Sequence, residues 1–140
     1  MKFFLTFFFA IALSSCKAQD ADTSTTIDAQ DPIAVKIGER TTFETQNIRF
    51  DSVVDDSRCP EGTQCIWAGE AKVTIAILEN EEERAQELVF GTDGINETNP
   101  QLLYTMGTTE VHAIGLEPYP KEGATIQSSD YQIILKKVNK

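Results

Sequence analysis

Apolar and polar residues alternate along most of the chain from residue 32 onward. Ile33, Val35 and Ile37 alternate with Ala34 and Lys36. The same alternation recurs in residues 48–54, 71–77, 111–116 and 131–135. A period of two places successive side chains on opposite faces, so it predicts half-buried β-strands and not helices. We therefore expect an all-β domain over residues 32–140, a small antiparallel β-sandwich or barrel of about seven to nine strands.

The segments between these runs predict how the strands connect. Gly38-Glu39-Arg40 follows the first run and predicts a hairpin that leads into residues 41–45. The acidic residues 79–84 carry no apolar stripe, so we expect a solvated hairpin tip before a strand at 88–90, with a short helical turn as the alternative. Residues 91–100 are rich in Gly, Asn and Pro, which predicts a loop before a strand at residues 102–106.

The first sixteen residues predict the location of the protein. Lys2 precedes an apolar run over residues 3–13, and Ser14-Ser15-Cys16 follows. The run is too short to span a bilayer, so it reads as the apolar region of a signal peptide. A cysteine directly after small residues is the acceptor of a diacylglycerol, which makes Cys16 the first residue of a bacterial lipoprotein. We expect a signal peptide at residues 1–15 and a lipid anchor in a membrane of the cell envelope, on its periplasmic or surface face.

Residues 17–31 predict a flexible tether behind the lipidated cysteine. They are rich in Ala, Asp, Ser, Thr and Gln, with Ile27 as the one large apolar residue. Such a segment buries too little apolar surface to fold and would give a reach of about 20 Å. The chain is thus divided into the signal peptide, a lipidated cysteine and tether at residues 16–31, and one β domain.

Charge narrows the choice of partners. Cleavage would leave 125 of the 140 residues and remove Lys2 but no acid, so the 12 basic residues become 11 against 22 acidic ones, a formal charge of −11. Nucleic acid is excluded as a partner, because phosphate binding needs clustered Lys and Arg. The remaining expected contacts are the membrane, through lipid on Cys16, and an envelope protein or glycan.

The two remaining cysteines predict a disulfide. Cys59 and Cys65 lie six residues apart in an exported chain. Closing so short a loop would stabilise the fold by about 2 kcal/mol. The spacing is not that of a Cys-x-x-Cys oxidoreductase. A zinc site built on these two thiolates would need further ligands, and His112 is the only histidine of the chain. We therefore expect no metal or other cofactor.

Residues 55–71 concentrate the unusual side chains of the domain, including its only tryptophan. In a structural interpretation, Pro60 and Gly62 form a turn inside the disulfide ring, Arg58 reaches back to Asp55 or Asp56, and Trp67 plugs the end of the core. Asp56 and Ser57 then cap backbone amides, and Gly69 permits a close approach or bulge. In a functional interpretation, the stiffened loop presents Arg58, Glu61 and Trp67 to a partner, with protease inhibition as the alternative role.

This run resembles the Asp-Ser-Arg-Cys-Pro…Cys-x-Trp-x-Gly-x-Ala-x-Val motif of an uncharacterised family of small bacterial lipoproteins. The resemblance includes Leu116-Glu117-Pro118-Tyr119-Pro120 and Asp130-Tyr131, and it covers most of residues 38–138. It implies an exported, lipid-anchored protein and supplies no activity.

Enzymatic chemistry finds little support in the residues. A hydrolytic triad would have to use His112, which lies in an expected strand, and no spacing singles out two of the many carboxylates. Calcium binding is the remaining alternative for the acidic loops, although neither of two candidate sets matches an EF-hand. The sets are Asp93, Asn96 and Glu97, and Asp51, Asp55 and Asp56. The sequence thus favours a non-enzymatic binding or structural domain.

Overall fold

The computed structural model describes residues 31–43, 45–79 and 82–140. The expected signal peptide, the lipidated cysteine and nearly all of the expected tether lie outside these residues. The described part contains eight strands and one 3₁₀ turn, and no helix in it is long and apolar enough to cross a membrane. The strands are β1 (Ile33–Lys36), β2 (Arg40–Phe43), β3 (Gln46–Asp56), β4 (Glu70–Glu79), β5 (Glu82–Gly91), β6 (Gln101–Met106), β7 (Thr109–Glu117) and β8 (Gln132–Asn139); the turn is Ser128–Asp130.

The strands form two antiparallel four-stranded sheets with the orders β1-β8-β7-β6 and β2-β3-β4-β5. Neither sheet closes on itself, so the predicted all-β fold is confirmed as a sandwich and not a barrel. Alternate residues of each strand point inward and form one apolar core, as the period of two requires. The fully buried side chains include Ile48, Phe50, Val73, Ile75, Leu88, Phe90, Val111, Ile133 and Leu135.

The predicted first hairpin is wrong. β1 pairs with β8 through Val35 and Ile133, whereas β2 pairs with β3, so the turn at Gly38 carries the chain from one sheet to the other. Gly38 donates its N–H to the Phe50 carbonyl at 2.7 Å, which fixes the crossing. Alternation predicts which residues of β1 face inward, but it does not determine which strand lies beside it.

The turn between β4 and β5 is shorter than predicted. β4 and β5 pair continuously from Glu70 and Gly91 to Glu79 and Glu82, so β5 begins six residues before the predicted strand. The alternative of a helical turn near residue 84 is wrong, because residues 82–84 are paired in the strand. β5 is an edge strand, and its exposed charged side chains protect that edge from pairing with another chain.

One end of the sandwich carries the cysteine loop. β3 ends and β4 begins there, with Asp56 opposite Ala71. β7 also ends and β8 begins there, with Glu117 opposite Gln132. We call this the loop end. Since Lys36 also pairs with Gln132, β1 runs toward the loop end, and the chain enters β1 from the opposite direction.

Candidate binding site at the loop end

Residues 57–69, here called the disulfide loop, continue the pairing of β3 and β4 beyond the strands. Ser57 donates its N–H to the Glu70 carbonyl at 2.8 Å, and Cys59 donates to the Ala68 carbonyl at 2.7 Å. Cys59 and Cys65 form the predicted disulfide, with their Cα atoms 5.9 Å apart. The loop is therefore anchored on both sides, as the flanking strand patterns predict.

Hydrogen bonds also order the interior of the disulfide ring. The Thr63 amide and hydroxyl both donate to the Pro60 carbonyl, at 3.2 and 2.7 Å, which closes the predicted turn. Glu61 donates its N–H to the Pro120 carbonyl at 2.9 Å and accepts the Glu122 N–H at 3.0 Å. These two bonds join the ring to the connection after β7, so the loop is held from a third side.

Gly69 allows the two ends of the loop to come together. Its φ is +69°, and a Cβ there would lie 1.9 Å from the Ser57 carbonyl oxygen. Only glycine fits such a left-handed position against another backbone. The predicted close approach at this residue is present, and the Ser57 hydroxyl also donates to the Glu70 carbonyl at 2.9 Å beside it.

A buried arginine fixes the base of the loop. Arg58 donates from Nε and Nη2 to the two carboxylate oxygens of Asp56, at 2.8 and 2.7 Å. It also donates to the carbonyls of Leu116 and Pro118, at 2.7 and 2.9 Å. The Arg58 and Asp56 side chains are only 3% and 8% exposed. Arg58 therefore joins the two sheets at the loop end, and it is not an exposed contact residue.

Two tyrosines complete this cluster. Tyr131 donates its hydroxyl to Asp56 at 2.9 Å, and the Tyr119 ring lies 5.0 Å from the Arg58 guanidinium carbon. Burial raises the pKa of Asp56, but hydrogen bonds from Arg58 and Tyr131 outweigh it and hold that pKa below its ordinary value. Burial and the neighbouring Asp56 carboxylate raise the pKa of Tyr131 to about 12. The cluster thus holds Asp56 charged and Tyr131 neutral at physiological pH.

These shifts predict a loss of stability in alkali. The folded-state pKa of Tyr131 is raised from 10.0 to about 12. The contribution of its hydroxyl to the free energy of unfolding is therefore complete below pH 10 and is lost as the pH rises through 12. Urea unfolding across this interval should show a smaller pH dependence in Tyr131→Phe than in the wild type. Tyr119→Phe, which leaves the Tyr131 hydroxyl in place, should keep the wild-type slope. Equal slopes for all three proteins would contradict the assignment to Tyr131.

The tip of the loop is apolar and exposed. Ile66 is 96% exposed and Trp67 is 76% exposed, although both are large side chains that proteins usually bury in part. The structural prediction that Trp67 plugs the end of the core is therefore wrong. Arg58 and Tyr131 occupy the base of the loop instead, and the indole is left at the surface. Glu61 is also exposed, and its carboxylate lies 3.9 Å from the Lys121 ammonium.

Two clefts lie at the loop end. One has a volume of about 520 Å³ and is lined by Trp67, the backbone around Gly69, and the carboxylate-bearing residues Glu70 and Asp93. The other has a volume of about 440 Å³ and lies between Arg58, Tyr119 and the loop after β5. The loop end therefore combines an exposed aromatic side chain with concave surfaces, which is the common arrangement of a binding site.

The candidate calcium loops have other roles in the structure. Asn96 donates its amide to the carbonyls of Gly91, Thr92 and Gly94, while its own oxygen accepts from Thr98 and Asn99. Asp56 is paired with Arg58. Within the described ranges, no group of three or more His, Cys, Asp or Glu side chains is arranged to hold a metal ion.

His112 lies in β7, as the alternation predicts. Its Nε2 is 3.1 Å from a carboxylate oxygen of Glu110, and the Lys140 ammonium contacts the other oxygen of that carboxylate. Hydrogen bonds from Lys140 and His112 hold the pKa of Glu110 below its ordinary value, the bond from Lys140 being the larger cause. The histidine thus belongs to a polar group on β7, away from the loop end.

Fold and site together define a β-sandwich domain with a disulfide-closed loop and an exposed apolar tip at one end. No protein-family model, no curated protein and no solved structure matches the chain. The functional assignment therefore depends on the geometry of the loop end.

Proposed function

We propose that the protein is a non-enzymatic binding protein of the bacterial cell envelope, anchored by lipid on Cys16, that contacts an envelope protein through the disulfide loop. The observation that carries this proposal is the exposure of Ile66 and Trp67, 96% and 76%, on a loop that is otherwise tightly held. Adjacent exposed apolar side chains cost solubility, and a binding role accounts for them. Tryptophan is also the residue type most enriched among energetic hot spots of interfaces.

The rigidity of the loop supports this role. The disulfide, the bonds to residues 120 and 122, and the Arg58 cluster fix the loop before any partner arrives. A preorganised loop loses little conformational entropy on binding, so more of the contact energy appears as affinity. A purely structural loop would need the same restraints but not the exposed tip.

The direction of β1 also supports the proposed binding role. β1 runs toward the loop end, so Pro32 lies at the opposite end of the sandwich. If Cys16 holds the chain in a membrane, the domain is attached through the end opposite the tip. The loop would then face away from the anchoring bilayer, where another envelope protein can reach it. The resemblance to small lipoproteins supports the lipid anchor of this proposal.

The test is quantitative capture of envelope proteins by the full chain purified from bacterial membranes. We expect the wild type to retain partners that Ile66→Ser/Trp67→Ser loses by about tenfold or more, because both apolar anchors are removed. Leu102→Ser is the matched control, since Leu102 is 44% exposed on β6 in the other sheet and should leave capture unchanged.

Two results would contradict the proposal. Equal capture by the wild type and the double variant, with equal melting temperatures, would remove the loop from the binding site. The intact mass of the purified chain tests the anchor, because a lipoprotein begins at Cys16 and carries acyl chains. An unacylated chain that retains residues 1–15 would exclude lipid anchoring.

A further inference from the structure

The surface around the exposed tip carries more acid than base: four acidic side chains, Glu61, Glu70, Asp93 and Glu122, against Lys72 and Lys121. Glu70 and Asp93 line the cleft of about 520 Å³ beside Trp67, and its lining contains no Lys, Arg or His. On the other side of the ring, a Cβ at Gly62 would lie 3.3 Å from a Glu122 carboxylate oxygen, so this acid adjoins the loop. Both lysines are already paired, Lys121 with Glu61 and Lys72 with Glu70 at 3.1 Å, so Asp93 is the carboxylate of the cleft that has no ion pair among the described residues.

An acidic rim around an apolar tip restricts the chemistry of a partner. A neutral surface would bury the Asp93 carboxylate without replacing its hydration, and an acidic surface would add repulsion. An ammonium or guanidinium group pairs with this carboxylate and is attracted to the face of an indole. The charge of −11 expected for the mature chain would also speed the approach of a basic partner.

Building on the proposed function, we infer that the disulfide loop docks a basic, apolar polypeptide segment of its partner. A Lys or Arg side chain of that segment enters the cleft between Trp67, Glu70 and Asp93, and an apolar neighbour covers Ile66. The acidic rim selects the partner, while the apolar tip supplies most of the affinity.

The single tryptophan of the chain gives a direct measurement, because all indole fluorescence comes from Trp67. The full mature chain with Cys16→Ser is titrated with a peptide of lysine and leucine that lacks aromatic residues. Desolvation of the indole is expected to shift its emission to shorter wavelength. The same peptide with glutamine or glutamate in place of lysine should bind about tenfold more weakly or not at all, because each lacks the cation.

Two variants distinguish ion pairing in the cleft from general attraction to a negatively charged protein. Asp93→Asn and Glu82→Gln each remove one charge, but residues 79 and 82 form the opposite end of the β4–β5 hairpin. Nine residues of strand separate Glu70 from Glu79, about 30 Å. We expect Asp93→Asn to weaken binding of the lysine peptide about three- to tenfold and Glu82→Gln to weaken it by less than about twofold.

Each outcome decides the inference. Equal binding of the lysine and glutamine peptides, or equal effects of Asp93→Asn and Glu82→Gln, would overturn it. A shift of Trp67 emission with neutral oligosaccharides but with no peptide would assign the cleft to a glycan instead. If no peptide binds while the loop still captures an envelope protein in the preceding experiment, the basic partner is excluded and the proposed function stands.

Discussion

Arg58→Met is expected to lower the free energy of unfolding by about 3–5 kcal/mol, because it leaves the Asp56 carboxylate buried without its partner. The Asp56 side chain is 8% exposed, so water can restore little of the lost interaction. The carbonyls of Leu116 and Pro118 also lose their donor. Denaturation with urea, followed by circular dichroism, measures the change.

Arg49→Met is the matched control for this substitution. Arg49 lies on β3 and pairs with Asp51 and Glu83, but its side chain is 31% exposed. Exposed ion pairs contribute about 0–1 kcal/mol, so Arg49→Met should cost far less than Arg58→Met. Asp56→Asn/Arg58→Met should recover part of the lost stability, since no unpaired charge remains buried. Similar costs for the two arginine substitutions would show that the Arg58 cluster does not hold the sheets together.

Local sequence pattern predicted most of the strands, because alternation depends only on which face of a strand is buried. The runs that begin at Ile48 and Ala71 lie in β3 and β4. The partner of β1 was missed for a physical reason. Val35 must be buried in either sheet, and nothing near Gly38 distinguishes a hairpin from a crossing between sheets.

The loop end was predicted in its parts and not as a whole. The disulfide and the Arg58–Asp56 pair follow from residues close together in sequence, and both are present. The contacts of Arg58 with Leu116, Pro118 and Tyr119 span about sixty positions, and local spacing carries no signal for them. Residues 55–71, 116–120 and 130–131 nevertheless meet at the Arg58–Asp56 pair, because the second segment contacts Arg58 and Tyr131 donates to Asp56.

The exposure of Trp67 could not be predicted from the residue type. Tryptophan is usually buried in large part, and a position beside a disulfide suits a plug as well as a contact residue. What decides the outcome is that Arg58 and Tyr131 already fill the base of the loop. Long-range packing of these two residues therefore determines that the indole is available to a partner.

Gly69→Ala is expected to destabilise the domain by about 3–5 kcal/mol, through a mechanism independent of charge. The new Cβ would lie 1.9 Å from the Ser57 carbonyl oxygen and 2.7 Å from its carbon, so the backbone at the loop base must separate. That movement would break the bonds between Ser57 and Glu70 and displace the tip with them.

Gly107→Ala is the control that carries the cost of a left-handed backbone without the steric contact made at Gly69. Gly107 has φ +58°, close to the +69° of Gly69, but a Cβ there meets nothing within 4 Å. Its substitution should cost only the conformational strain, about 1–2 kcal/mol. Urea unfolding of both variants gives the difference between them, and the emission of Trp67 reports whether the tip has moved. A difference close to zero would mean that the loop base tolerates separation, and the rigidity on which the proposed binding role depends would have to come from the disulfide and the Arg58 cluster alone.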